Sequence, residues 1–251
     1  MPDRPAPSWQ NPDLAAKFLQ NISDSIPLAI EQIDMMLRLL AAADGDRLQT
    51  FLDLGCGDGV LSAAILDEYP RVRGVLVDVS EPALAAARHR LDAHKGRIEF
   101  IVADYTEPGW TRAVANDGPF DTVVSAFAAH LLPDPRKREL YAEIFALLSA
   151  DGPFINIEHV ASATRWTESI WDDYMIDAIF GQELKASPGK SRAEVAREYY
   201  TRVAQDAGIL APLEVQCDWL REIGFENVDC YLKVLELALF GGQKPGRGSN
   251  Q

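Results

Sequence analysis

The stretch FLDLGCGDG, Phe51 to Gly59, restricts this chain to few architectures. Phe51, Leu52 and Leu54 make a short apolar strand. Gly55, Gly57 and Gly59 follow at spacing two, and the helix-like run Val60 to Leu66 begins at once. A glycine turn between a buried strand and a helix start lets a ligand lie against bare backbone, with helix N–H groups pointing at it. Strand, turn and helix together predict a doubly wound α/β sheet, in which ligands sit beyond the carboxyl ends of parallel strands.

Two departures narrow the ligand. The dinucleotide pattern G-x-G-x-x-G needs glycine at position 60, where the chain has Val60, and the phosphate loop ends in Gly-Lys-Ser/Thr, whereas no lysine follows these glycines. Instead Asp53 precedes the turn and Asp58 lies within it. An acidic glycine loop is a poor cradle for phosphates and suits an ammonium or sulfonium group. Gly55-Cys56-Gly57-Asp58-Gly59 resembles motif I of the class I S-adenosylmethionine (SAM)-dependent methyltransferases, hydrophobic-D-hydrophobic-G-x-G-x-G, and matches it in full. The resemblance implies a Rossmann-like, mostly parallel seven-stranded sheet with its last strand antiparallel. It also implies SAM as cofactor, S-adenosylhomocysteine (SAH) as product, and cofactor contacts from Asp53, Gly55, Cys56 and Gly57.

Before the loop, Ile26 to Ala43 reads as a helix, with Ile26, Ile30, Ile33, Leu37 and Leu40 on one face; a shorter helix is expected over Asp13 to Leu19. In the resembled family such helices often cover the cofactor cleft, with Trp9 and Phe18 as core residues or ligand contacts. After the loop, Val75, Leu76 and Val77 form a second buried strand ending in Asp78, 19 residues past Gly59. An acid at that strand tip accepts hydrogen bonds from the ribose hydroxyls in this kind of site. Val79 then offers an apolar face to adenine, while Ser80 caps the next helix ahead of Glu81-Pro82. His89 and His94, on or near that helix, are expected in solvent. Ile98 to Val102 is a third strand followed by Ala103-Asp104-Tyr105. The family often places an acid here on the adenine amino group, which assigns Asp104, with Tyr105 beside it, to the cofactor.

Phe120 to Ser125 resembles motif IV of the same family. Ser125 to His130 is expected to cross the methionine end of SAM, where backbone groups can hold its amino group. Phe154 to Ile157 is a fifth strand ending in Glu158-His159. Residues 161–212 are an insertion: an acidic half, with Trp166, Ile170, Tyr174 and Ala178 in one stripe, and a basic half bearing Lys190, Arg192 and Arg197. It reads as two helices attracted by charge, and as a substrate lid in the family pattern, with Tyr174, Tyr199 and Tyr200 as its substrate-facing aromatics. A helix over Glu214 to Ile223, Gly224 as its cap and two strands then close the sheet. The expected organisation is cap helices over 1–45, the SAM-binding core over 46–160, the lid over 161–212, closing elements over 213–243 and a disordered tail over 244–251.

The 251 residues carry a net charge of −14, which repels polyanions and disfavours nucleic acid as a partner. No apolar run is long enough to cross a bilayer, and the proline-rich, polar start lacks a signal-peptide core, so a cytoplasmic monomer or homodimer with no membrane partner is expected. Cys56, Cys217 and Cys230 show no metal-ligand spacing, and no metal is expected. The expected reaction is in-line methyl transfer to a small-molecule acceptor, with His130 and His159 as candidate bases for an acceptor that must lose a proton. The other readings are a carboxy-SAM synthase-like or RNA-modifying enzyme, a protein methyltransferase, and a non-catalytic SAM-binding subunit.

Overall fold

The computed structural model describes residues 28–43, 47–130, 132–186, 189–205 and 210–246. The helix expected over 13–19, with Trp9 and Phe18, lies outside them.

Helix α1 (Ala29–Ala43) precedes an alternating series: β1 (Thr50–Leu54), α2 (Val60–Glu68), β2 (Arg73–Asp78), α3 (Glu81–Arg90), β3 (Ile98–Val102), β4 (Thr122–Ala126), α4 (Asp134–Leu147) and β5 (Pro153–His159). Two further helices, α5 (Arg165–Ala186) and α6 (Arg192–Gln205), come next. Then α7 (Leu213–Ile223), β6 (Glu226–Val234) and β7 (Leu237–Gln243) close the fold. The seven strands form one sheet in the order β3-β2-β1-β4-β5-β7-β6. Strands β1 to β5 pair in parallel, and β7 runs antiparallel to both β5 and β6, as expected from the sequence. The order reverses at β1, between β2 and β4, so the crevice of this sheet opens at the carboxyl end of β1, where the glycines begin.

The sheet is covered on both faces, and side-chain alternation sorts its residues between them. Phe51 shares one core cluster with Ile33 and Met36 of α1, Leu61 of α2 and Leu84 of α3, whereas Leu52 and Leu54 share another with Leu140 and Ile144 of α4 and Leu220 of α7. Asp53 has the parity of Phe51 and therefore points at α2. The start of β1 is tied to β4 by Asp121, whose carboxylate accepts from the Gln49 and Thr50 N–H groups at 2.9 Å each.

The inserted helices are joined by charge as expected: Arg192 of α6 pairs with Asp173 and Asp177 of α5. Helix α5 carries apolar residues on both of its sides. The stripe Trp166, Ile170 and Tyr174 is exposed, at 72%, 37% and 39%. The helix is seated instead by Trp171, which shares a core cluster with Ile33 and Met36 of α1 and Leu237 and Leu239 of β7, and by Ile176. Tyr199, expected to face substrate, is buried against Ile176 and Val195 with its hydroxyl donating to Asp172 at 2.9 Å. Beyond β7, Lys244 Nζ donates to the Leu148 carbonyl at 2.6 Å, and its N–H to that of Gly152. Among the described residues no helix is long and apolar enough to cross a membrane.

Candidate functional site

The glycine loop leaves β1 through three left-handed residues: Gly55 at φ 68°, Gly57 at 54° and Gly59 at 80°. Side chains at φ values of this kind are strained, and at Gly55 a Cβ would also meet Ala128 Cβ at 2.5 Å, so the loop after β4 can close onto bare backbone. Over Gly57 a Cβ would meet nothing within 4 Å; the backbone there faces open space. The loop is pinned from two sides. Asp78 Oδ2 accepts from the Gly57 N–H at 2.9 Å, while its Oδ1 accepts from Ser80 N–H at 2.8 Å. Arg90, at the end of α3, donates to the Asp58 carbonyl at 3.0 Å and pairs with the Asp58 carboxylate. Sequence reasoning did not find Arg90; a lone arginine at a helix end carries no local signature of a partner in another loop.

Asp53 is buried, with Ser62 Oγ donating to its carboxylate at 2.5 Å. Burial, opposed by the Ser62 hydrogen bonds and reinforced by Asp78 and Asp58, raises its pKa to about 7. The Cys56 thiol is also buried and held protonated, pushed far up by burial and then by Asp53 and Asp78. Facing this loop is a cleft of about 160 Å³, lined by Asp53, Gly55, Cys56, Gly57 and Asp58, by Ala126 and Phe127 after β4, and by Ala29, Gln32 and Ile33 of α1. A cleft with open backbone and three nearby carboxylates fits a ligand bearing an ammonium or sulfonium, and α1 covers it.

The other expected cofactor contacts lie along the carboxyl ends of the neighbouring strands. Val79 is 51% exposed beside the half-buried Asp78. Asp104 is exposed, its Oδ1 accepting from the Thr106 N–H and hydroxyl, which together hold its pKa below the usual range. Tyr105 bends back over the loop, its hydroxyl 3.0 Å from where a Gly55 Cβ would stand. Ser125 differs: its side chain is buried and its hydroxyl donates to the Leu54 carbonyl at 2.9 Å. It ties β4 to β1, and its position within the strand turns that side chain into the sheet rather than toward the cleft.

Beyond Phe127 stand two histidine–carboxylate pairs. Glu158 is fully buried; it accepts from the Ala129 N–H at 2.9 Å and the His159 N–H at 3.0 Å, and its Oε1 lies 3.0 Å from His130 Nδ1, a close ion-pair distance without hydrogen-bond alignment. His159 sits next to Glu158 in β5 and so emerges on the opposite face. There its Nε2 lies 2.6 Å from Glu236, a buried carboxylate in the turn between β6 and β7. The imidazole centroids are 6.2 Å apart. The structure thus brings His130 and His159 together, although 29 positions separate them in the chain. Glu236 was missed; its signal was a single acid inside the apolar run Val234 to Phe240. No group of three or more metal-ligating side chains occurs among the described residues.

Residues 51–152 match the methyltransferase domain family. A carboxy-S-adenosyl-L-methionine synthase of Campylobacter concisus is 27% identical over 188 residues, 74% of this chain and 73% of that protein. A release factor glutamine methyltransferase of Chlorobaculum tepidum is 38% identical over 93 residues, 36% of this chain and 31% of that protein. Among solved structures, an O-methyltransferase family protein from Burkholderia thailandensis superposes with a TM-score of 0.58 at 18% identity, covering 93% of this chain and 63% of its own length. The chain thus spans about a third of one of these relatives and under two thirds of the solved structure. The motif, the sheet order and these likenesses together make residues 51–152 a methyltransferase domain on the class I SAM-dependent fold.

Proposed function

We propose that this protein transfers a methyl group from SAM to a small-molecule acceptor. The observation that carries the reading is the cleft itself: open acidic glycine-loop backbone on one wall, Phe127 on the other, and a carboxylate-anchored imidazole, His130, just beyond. Bound in this cleft, SAM supplies an electrophilic methyl group on a sulfonium.

The loop and the carboxylates of Asp53 and Asp58 would hold the methionine end. Asp78, whose two oxygens keep lone pairs beyond those used by Gly57 and Ser80, would take the ribose, with Val79, Asp104 and Tyr105 about the adenine. His130 has one ring nitrogen, Nδ1, turned to buried Glu158, which leaves Nε2 toward the acceptor. Nε2 takes the proton of an acceptor hydroxyl as the acceptor oxygen forms its bond to the methyl carbon and the carbon–sulfur bond breaks. Glu158 stabilises the resulting imidazolium, which then returns its proton to water. His159 is held away from this role by its bond to Glu236.

The test incubates purified protein with methyl-labelled SAM and fractionated cell extract. Label should enter the low-molecular-weight fraction. Asp78→Ala should weaken SAM binding tenfold or more, because it removes both the ribose acceptor and the pin on Gly57. His130→Ala should keep SAM affinity and lose about 10²-fold or more in turnover, the usual contribution of a general base. Label only in RNA or protein would overturn the small-molecule reading. The extended likeness to a carboxy-SAM synthase supports one second reading, SAM conversion; a cofactor heavier than SAM, with no labelled acceptor, would establish it.

A further inference from the structure

A second cavity lies at the other end of the sheet. Its volume is about 520 Å³. Its walls are the first residues of three strands, Thr50 of β1, Arg73 and Val75 of β2 and Glu99 of β3, with Asn116 and Asp117 from the loop ahead of β4. The cleft at the glycine loop lies at the carboxyl ends of the strands and shares none of these residues. A concavity of this size is ordinary for a small-molecule site.

Strand register sets its walls. Thr50 pairs with Arg73 and Val75 with Glu99, so all four side chains fall on one face of the sheet. On that face Val75 and Phe120 belong to one core cluster and supply an apolar floor. The Asp117 N–H donates to the Val114 carbonyl at 3.1 Å, and this turn sets Asn116 and Asp117 on the rim.

The charges around this cavity are of both signs and are not used by the fold. Arg97 also lines it, but its guanidinium is occupied. It donates to the Leu66, Tyr69 and Val72 carbonyls, and its Nη2 lies 2.8 Å from His94 Nδ1. His94 Nε2 in turn meets Asp67 at 2.9 Å, so this histidine is not simply in solvent as expected. Arg73 and Glu99 stand on adjacent strands, two positions out of register, and do not pair. Among the described residues no hydrogen bond or ion pair reaches the side chains of Arg73, Glu99, Asn116 or Asp117. One free guanidinium and two free carboxylates therefore border an apolar floor.

We propose that this cavity binds a small zwitterion, an α-amino acid with an apolar side chain. The inference goes beyond methyl transfer and does not rest on it. Arg73 takes the carboxylate, which the guanidinium fork matches with two parallel hydrogen bonds. Glu99 and Asp117 take the ammonium, and Val75 and Phe120 meet the side chain. A simple anion would be repelled by the two carboxylates, and a simple amine would leave Arg73 unmet, so the set discriminates against both.

The test titrates the full chain, saturated with SAH, with L-phenylalanine, 2-phenylethylamine and 3-phenylpropanoate, with affinities read by ligand-observed NMR. The amine lacks the carboxylate and the acid lacks the ammonium. Phenylalanine should bind at least tenfold more tightly than either. Arg73→Ala and, independently, Glu99→Gln should each weaken phenylalanine at least fivefold and leave SAH affinity unchanged, which also shows that the variant is folded. Equal binding of the three compounds, or phenylalanine affinity unchanged in both variants, would overturn the site. So would phenylalanine that binds the free protein but is displaced by SAH, because it would then occupy the glycine-loop cleft. Failure of the parent protein to bind SAH would count against the methyl-transfer reading alone, and the three compounds would then be compared on the free protein.

Discussion

The Asp53 carboxyl is buried against α2, and its pKa of about 7 fixes the sign of a stability effect. In the unfolded chain it ionises near the ordinary 3.8, so between pH 4 and 7 the folded state holds a proton that the unfolded state has lost. Stability contributed by this group therefore falls as pH rises through that window, and the cost is complete above pH 7. A shift of this size has a ceiling of about 4 kcal/mol. Asp53→Asn, which keeps shape and removes charge, should make the unliganded protein more stable than the parent at pH 8. The gain should shrink to near zero by pH 4, as followed by urea unfolding at pH 4, 6 and 8; a pH-independent difference would refute the assignment. A cationic ligand in the cleft opposes the same cost by favouring the ionised form. On the proposed function, the sequence thus keeps a destabilising acid where the ligand's positive charge would lie.

Among the elements, α2 has to end where the chain turns into β2, and it ends on a side chain from elsewhere. Arg97, just ahead of β3, donates to the carbonyls of Leu66, Tyr69 and Val72 and so satisfies acceptors that the helix end leaves open. Arg97→Ala should cost about 2 kcal/mol, from charged hydrogen bonds lost and helix-end carbonyls left unpaired. For a chain of this size that is a Tm lower by roughly 4–8 °C in calorimetry. Long-range ties of this kind explain what the sequence could and could not reveal. The strands and the glycine turn were legible because each is encoded within ten residues: an apolar run, an acid, glycines at spacing two. The antiparallel ending was legible from a helix, a glycine cap and two strand patterns in succession. The inward turn of Ser125, the buried side of α5 and the place of Tyr199 depend on which neighbour each face meets. The two histidine–carboxylate pairs depend on parity in β5 and on a turn more than 70 positions away. Neither is a local property, and the single acid Glu236 was the one mark left in the sequence.

At the scale of the whole molecule, the cap and the inserted helix are not independent flaps. Trp171 of α5 lies in the same core cluster as Ile33, Met36 and Leu40 of α1, so both are bound into one hydrophobic unit over the cleft. The amino-terminal turns of α1 supply Ala29, Gln32 and Ile33 to the cleft wall, while Met36, Leu37 and Leu40 anchor its remainder. Saturation with SAH should therefore slow amide hydrogen exchange over residues 30–36 at least tenfold and leave residues 140–147 of α4 unchanged. Uniform slowing, or none, would contradict a helix end that closes on the ligand. If the cofactor is held behind this wall, a wall made from the end of a helix would open by fraying: each exchange of spent for fresh cofactor would wait on the melting of one or two turns, and a better-capped α1 would make a more stable but slower machine.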